Sequence, residues 1–466
     1  MKFNQLLGFF YYLLIIKFVI NNIFNTMKKI TLSFVLAFAS SLVLISCGGG
    51  GSSGSSGSSS STSTTTPSAT TYVSGVAVGD FGEFIISADR KTYTFKFIDS
   101  AYGLTGVSVS GSLTEDANGG YIGTTAEGKR FPVYITDNYA IASVQMNPKT
   151  DPNDFTPIFG VAKGSAISSA SSLVNQGNVI KSFSYLCNAN KAQTTATSCY
   201  SVASIGVFSV GSNDKELLIT SCNNGGKQED NSLLSLCYQN RNNPSWFSQS
   251  AQLNNNGIER YTATYDAVGG YWNMTPNVNS SSRVTRGVFT LDKSTNSLVG
   301  FFDEVGLTAG TASGFSFVTN NFTPIGNFSR DVYINILPKQ SLASGGSGGN
   351  GFQQQLIKAN GQMFDQCPSG GSGPVQIASN MDSYVDQVDT LTPTQMAIPG
   401  FDYERSKAAD RTASSDWYVL GSFISNTNAS SGLGVFVANN SKTSSLASPT
   451  NNFKLIYFTP TAGQCY

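Results

Sequence analysis

Aromatic and polar residues alternate along this chain, and that alternation restricts it to a fold of strands. In Tyr93-Thr94-Phe95-Lys96-Phe97 every second side chain is a ring. A period of two places the rings on one face of an extended segment, and that face must be buried while the other meets water. Phe131 to Ile135, Tyr261 to Tyr265 and Val332 to Ile336 repeat the pattern, and Lys454 to Phe458 reads as a last strand. Gly-Val-Phe recurs at Gly206, Gly287 and Gly434, with Gly82-Glu83-Phe84 a looser copy. Polar turns and then apolar residues follow each copy, as from Phe289 through Asp292 and Asn296 to Val299, which predicts hairpins. Helical periodicity is confined to Ser165–Val174 and Ser379–Val388. The fold class predicted is mainly β, an antiparallel sandwich or barrel with few short helices. A repeat of about 41 residues fits the first three copies and misses the fourth, so a β-propeller is the alternative.

Charge excludes more than it suggests. Lys plus Arg and Asp plus Glu stand at 28 each, and no basic run occurs, so nothing recommends nucleic acid as a partner. Charged residues make up 12% of the chain, about half the usual share, which leaves Ser, Thr, Asn and Gly to solvate the surface. The chain has no histidine. That removes Ser-His-Asp and Cys-His nucleophilic sites, histidine metal sites and imidazole acid–base chemistry. With no recognisable catalytic motif, the balance tilts against an enzyme. No cofactor and no metal site is expected.

The address of the protein is written in residues 27–51. Met27-Lys28-Lys29 is a short positive segment, Ile30 to Ile45 an apolar one too short for a stable membrane span, and Leu44-Ile45-Ser46-Cys47 closes it before four glycines. The Leu-Ile-Ser-Cys sequence resembles the lipobox of bacterial lipoprotein signal peptides. The resemblance implies cleavage before Cys47 and lipidation of its thiol, with several acyl chains holding the membrane far better than one. Gly48, in place of the Asp that retains such proteins at the inner membrane, implies export to the outer membrane. The second Met-Lys-Lys implies that translation starts at Met27 and that residues 1–26 are a mis-assigned start. The competing reading makes Leu6 to Ile20, interrupted by Lys17, an extra membrane segment.

Gly48 to Thr71 is a Gly/Ser/Thr linker that cannot bury a core and is expected to be disordered. As a coil it spans roughly 25–30 Å and lifts the body off the bilayer. The body divides at the Gly/Ser-rich stretch 341–351, with a β-rich part over 72–340 and a C-terminal β-rich unit over 352–466. A glycine-rich tether before such a body looks like the transferrin-binding protein B class of surface lipoproteins. That likeness covers the anchor region and transfers no residues.

Six cysteines remain beyond Cys47. An even number in an exported chain reads as disulfides, and without a CxxC spacing a tetrathiolate zinc site is not indicated. Clustering of the first four in sequence favours Cys187–Cys199 and Cys222–Cys237, leaving Cys367–Cys465 to tie down the C-terminal segment.

Candidate ligand residues are few. Asp382, Asp386 and Asp389 fall on one face of the second helical segment. With Asp402 or Glu404 nearby they would make a carboxylate pair for glycan hydrolysis, although a solvated helix face gives the same pattern. Glu115-Asp116-Ala117-Asn118-Gly119 faintly resembles a calcium loop, lacks the later acidic ligand, and reads as a hairpin turn. Trp246, Trp272 and Trp417, with neighbours Phe247, Tyr271 and Tyr418, would serve either as stacking platforms for sugar rings or as core. The expected function is a lipid-anchored outer-membrane binding or adhesion module, on the periplasmic or the surface face. Its partners beyond the membrane would be a glycan or an envelope or host protein. A carboxylate-dependent glycan hydrolase and an envelope assembly role are the alternatives.

Overall fold

The structure, a computed structural model, describes residues 68–147, 151–196, 199–223, 232–243, 246–247, 258–277, 282–322, 330–338, 340–341, 352–368, 373–378, 402–406, 417–425, 431–440 and 453–465. The anchor, the linker up to Pro67, and the Asp382, Asp386 and Asp389 face with its helical segment lie outside them.

Eight strands form a first closed barrel: β1 (Thr70–Val76), β2 (Asp80–Ile86), β3 (Thr92–Asp99), β4 (Ser108–Glu115), β5 (Tyr121–Thr125), β6 (Arg130–Ile135), β7 (Tyr139–Asn147) and β8 (Asp151–Ala162). Each pairs antiparallel with the next, and β8 returns to β1 with Tyr72 opposite Ala162. Its interior is a stack of rings. Tyr93, Phe95 and Phe97 face inward from β3 and are at most 4% exposed, whereas Lys96 and Ile98 point out. Phe84 lies 5.9 Å from Tyr93, and Tyr93 meets Phe131 edge-on at 5.5 Å. Glycines make the room: a Cβ at Gly123 would sit 2.3 Å from the Phe131 ring, and one at Gly111 2.7 Å from Tyr93.

A 3₁₀ turn (Lys163–Ser165) and helix α1 (Ala170–Gly177) lead into a second closed barrel. The expected helix over Ser165–Val174 therefore starts five residues later, because the Ser169 side chain accepts the Ser172 N–H and caps it. The barrel comprises β9 (Val179–Cys187), β10 (Cys199–Val210), β11 (Glu216–Asn223), β12 (Ile258–Asp266), β13 (Tyr271–Pro276), β14 (Arg283–Asp292), β15 (Ser297–Gly306) and β16 (Ser313–Thr319), with β16 closing onto β9. Helix α2 (Ser232–Gln239) lies between β11 and β12.

The C-terminal strands build an open sheet. Strand β17 (Val332–Pro338) is followed by the short β18 (Gln340–Ser341), which pairs with β8 beside β1. Then come β19 (Gln353–Ile357), β20 (Met363–Asp365), β21 (Val375–Ala378), β22 (Asp402–Ser406), β23 (Trp417–Ser425), β24 (Gly432–Asn440) and β25 (Phe453–Thr459), in the order β21-β20-β19-β17-β25-β24-β23-β22.

Every strand and hairpin expected from the alternation is present, including β14–β15, whose turn is held by Asp292 and by Asn296 at φ 53°. The propeller alternative fails. Sequential strands close into eight-stranded rings, which leave no edge, rather than into four-stranded blades. Cys187–Cys199, Cys222–Cys237 and Cys367–Cys465 are all bonded, the first pair lying directly opposite each other on β9 and β10.

One buried apolar cluster joins the three β units. Phe81 and Phe159 of the first barrel meet Tyr271 and Phe317 of the second edge-on at 5.1 and 5.3 Å. The approach is closest at Gly79 (φ +89°), where a Cβ would stand 2.1 Å from the Gly314 nitrogen. From β25, Tyr457 stacks on Tyr134 of the first barrel at 4.9 Å, and Phe453 packs against Tyr185 and Phe315 of the second.

Candidate functional site

Strand register decides what the second barrel encloses. Ile180, Phe208, Leu217, Ile219, Trp272 and Phe289 share its lower interior with Met274, Leu298 and Val318. Helix α1 closes this end. Its Leu173 is fully buried among those rings, and the Trp272 Nε1–H donates to the Ile167 carbonyl at 2.9 Å. Of the two readings left open for Trp272, core holds and sugar stacking is withdrawn: a ring with no exposure offers no face. Trp246 is half-buried and meets Phe247 edge-on at 4.9 Å. Trp417 heads β23 opposite Ser406 and Asn440, and its side chain is outside those described.

Following the same inward parity to the other end changes the chemistry. Ser182 faces Ser204, their hydroxyls in contact, and Ser184 bonds Ser316 at 2.6 Å. Above them Arg283 Nη1 donates to Glu304 Oε2 at 3.0 Å, and the Tyr261 hydroxyl donates to Glu259 Oε2 at 2.8 Å. Thr285, opposite Glu304, and Tyr200, opposite Leu186, share the inner face. The four serines and Thr285 are all buried. Burial raises the Glu304 carboxyl above its ordinary range, although Arg283 opposes the shift. Burial also raises the phenols of Tyr200 and Tyr261, reinforced at both by Glu304 and Glu259. These electrostatic couplings reach from β10 to β15 across the lumen, so the groups converge.

The result is a barrel plugged at one end and polar at the other, the shape in which eight-stranded barrels hold one small ligand. Hydroxyls, a carboxylate pair and a guanidinium are arranged to donate and accept, with tyrosine rings beside them. Sequence reading missed all of these residues. The available signal was Ile180-Lys181-Ser182-Phe183-Ser184, where serine replaces the apolar residue at every second place. Which parity faces inward follows only from closure.

A second polar cluster sits where the barrels meet. Asp99 takes Arg286 Nη2 at 2.7 Å and Lys191 Nζ at 2.6 Å, and Arg286 Nη1 lies 3.5 Å from Asp303 Oδ2. The guanidinium rests 4.5 Å above the Phe81 ring. Burial pushes Asp99 up, but its two cations outweigh that and hold it below its ordinary range. Asp303 is fully buried and is driven well above that range. Asp80, accepting the Ser100 hydroxyl and the Ala101 N–H at 2.7 Å each, is pushed up by burial to about 7. This cluster ties the two barrels together through Arg286 of β14 and Asp99 of β3.

The Asp116–Gly119 segment is a hairpin turn, as expected, with Gly119 at φ +84° and the Asp116 N–H donating to the Gly120 carbonyl. Asp402 and Glu404 lie in β22, opposite Gly421 and Val419, with side chains outside those described. Among the described residues no group of three Cys, Asp or Glu side chains could hold a metal ion. No helix there is long and apolar enough to cross a membrane. No family model matches the chain, and no curated protein matches it.

Proposed function

We propose that this chain is a lipid-anchored binding protein of the outer membrane envelope, not an enzyme, and that its ligand enters the polar end of the second barrel. The lipobox ending at Cys47 and the Gly/Ser/Thr tether support the anchoring. The observation that carries the ligand reading is the division of one barrel interior into an aromatic half and a polar half. A barrel built only to fold has no use for a half-buried Arg283–Glu304 pair and two buried serine pairs where rings would pack.

Native mass spectrometry of the chain purified from its own cells tests the ligand. A bound small molecule is expected, and it is lost in an Arg283→Met/Glu304→Leu double variant. A wild-type mass equal to that of the bare lipidated polypeptide, or an adduct equally present on the double variant, contradicts the reading. Cys47→Ser tests the anchor separately: lipid labelling is abolished and the body leaves the membrane fraction. Retention would transfer the anchoring role to residues 1–26.

A second reading is favoured by one observation. Glu304, raised by burial, and Glu259, which accepts the Tyr261 hydroxyl, share the polar end of the lumen, and glycan hydrolysis employs a carboxylate pair of which one is raised. Release of reducing sugar by the wild type, abolished by Glu304→Gln, would replace binding with catalysis.

A further inference from the structure

A cleft of about 280 Å³ opens where the three β units meet, away from the second barrel's mouth. Tyr134, Thr136, Asp137, Asn138 and Tyr139 line it from the β6–β7 turn. Asp292, Lys293 and Ser294 come from the β14–β15 turn, and Ser431 from the start of β24. Part of its wall is held by ring stacking and hydrogen bonds. Tyr134 lies flat on Tyr457 with 12° between the planes, Tyr139 stacks on Phe159, and the Asn138 amide donates to the Leu291 carbonyl at 2.7 Å. The Tyr139 hydroxyl donates to Asp292 Oδ1 at 3.1 Å, and Asp292 Oδ2 takes Ser294 and Thr295.

Several polar groups on these walls keep hydrogen-bonding capacity. Among the described residues the Tyr134 hydroxyl has no hydrogen-bond partner and the Asn138 side-chain oxygen accepts none, and Lys293 Nζ uses one donor on Asp137, both ends of that pair being mostly exposed. Donors and acceptors therefore alternate around aromatic edges. Formal charge is −1, from Asp137 and Asp292 against Lys293, which disfavours anions. The volume falls just below the roughly 300–1,000 Å³ of pockets for drug-sized ligands, enough for one or two small rings. Sugar hydroxyls each donate and accept, and so match a mixed set that an apolar ligand would leave unpaired. We propose that this cleft binds a short saccharide, neutral or amino-bearing, held by the hydroxyl of Tyr134, the amide of Asn138 and the Asp137–Lys293 pair.

Saturation-transfer NMR on the full-length chain tests this, with glucosamine and the disaccharide of N-acetylglucosamine as probes and N-acetylneuraminic acid as the anionic control. Transfer to at least one of the first two and none to the third is expected. Tyr134→Phe/Lys293→Met, which keeps the ring stack, should weaken the dissociation constant at least tenfold. Asn138→Ala should do the same, and the first variant decides the matter if loss of the Leu291 contact unsettles the turn. No transfer to either of the first two probes would overturn the proposal. So would binding that survives Tyr134→Phe/Lys293→Met and disappears in Arg283→Met/Glu304→Leu, since that would seat the sugar in the barrel.

Discussion

The two barrels have the same strand number and the same meander order, and their interiors differ. In the first, rings from β2, β3 and β6 meet across the lumen over glycines that admit them. In the second, comparable rings fill only the half that α1 covers, and the remaining inner positions carry Ser182, Ser184, Thr285, Arg283 and Glu304. Strand count and closure set the space inside a barrel, and side-chain volume decides whether it is core or chamber. The first interior is therefore packed throughout, whereas the second divides into a ring-filled half and a polar half.

Substitutions can break or sharpen this contrast. The largest effect is expected from Phe95→Ala in the first barrel, where a fully buried ring leaves a void in a filled lumen. A loss of about 3–5 kcal/mol is expected from denaturant unfolding. Glu304→Leu alone should cost roughly 2 kcal/mol, because it strands Arg283, whose side chain keeps 34% of its exposure and some access to water.

A pH effect separates the clamp between the barrels from the chamber. The Asp80 carboxyl titrates near 4 in the unfolded chain and near 7 in the fold. The folded protein thus holds an extra proton between these values. The stability Asp80 contributes is full below about pH 4 and is lost as pH rises through about 7. Asp99, shifted the other way by Lys191 and Arg286, contributes above its ordinary range and loses that contribution on acidification. The melting temperature should fall between pH 5 and pH 8, and Asp80→Asn should flatten the fall while keeping the Ala101 contact. A profile unchanged by Asp80→Asn would contradict the burial of that carboxyl. The smallest effect, about 1 kcal/mol, is expected for Ser184→Ala, which leaves the Ser316 hydroxyl without its partner.

The strands were legible because one buried face per strand forces alternation, as Tyr93 to Phe97 illustrates. The disulfides were legible from clustering. Closure was not, since it depends on long-range pairing such as Tyr72 with Ala162, which leaves no local mark. The site was hidden for the same reason. A serine at an inner position looks like a serine at an outer one until the register is known. Trp272 stayed undecided for the converse reason, because a strand tryptophan reads alike as platform or core until its inward face is fixed.

On the proposed function, the polar half of the second barrel serves a ligand rather than the fold. The most direct test compares denaturant unfolding of the wild type with the Arg283→Met/Glu304→Leu double variant. Replacing both partners with apolar groups of similar volume leaves no charge stranded, so the account predicts a midpoint equal to or above the wild type's. A loss as large as that of Phe95→Ala would show that the pair holds the barrel together, and the chamber reading would fail.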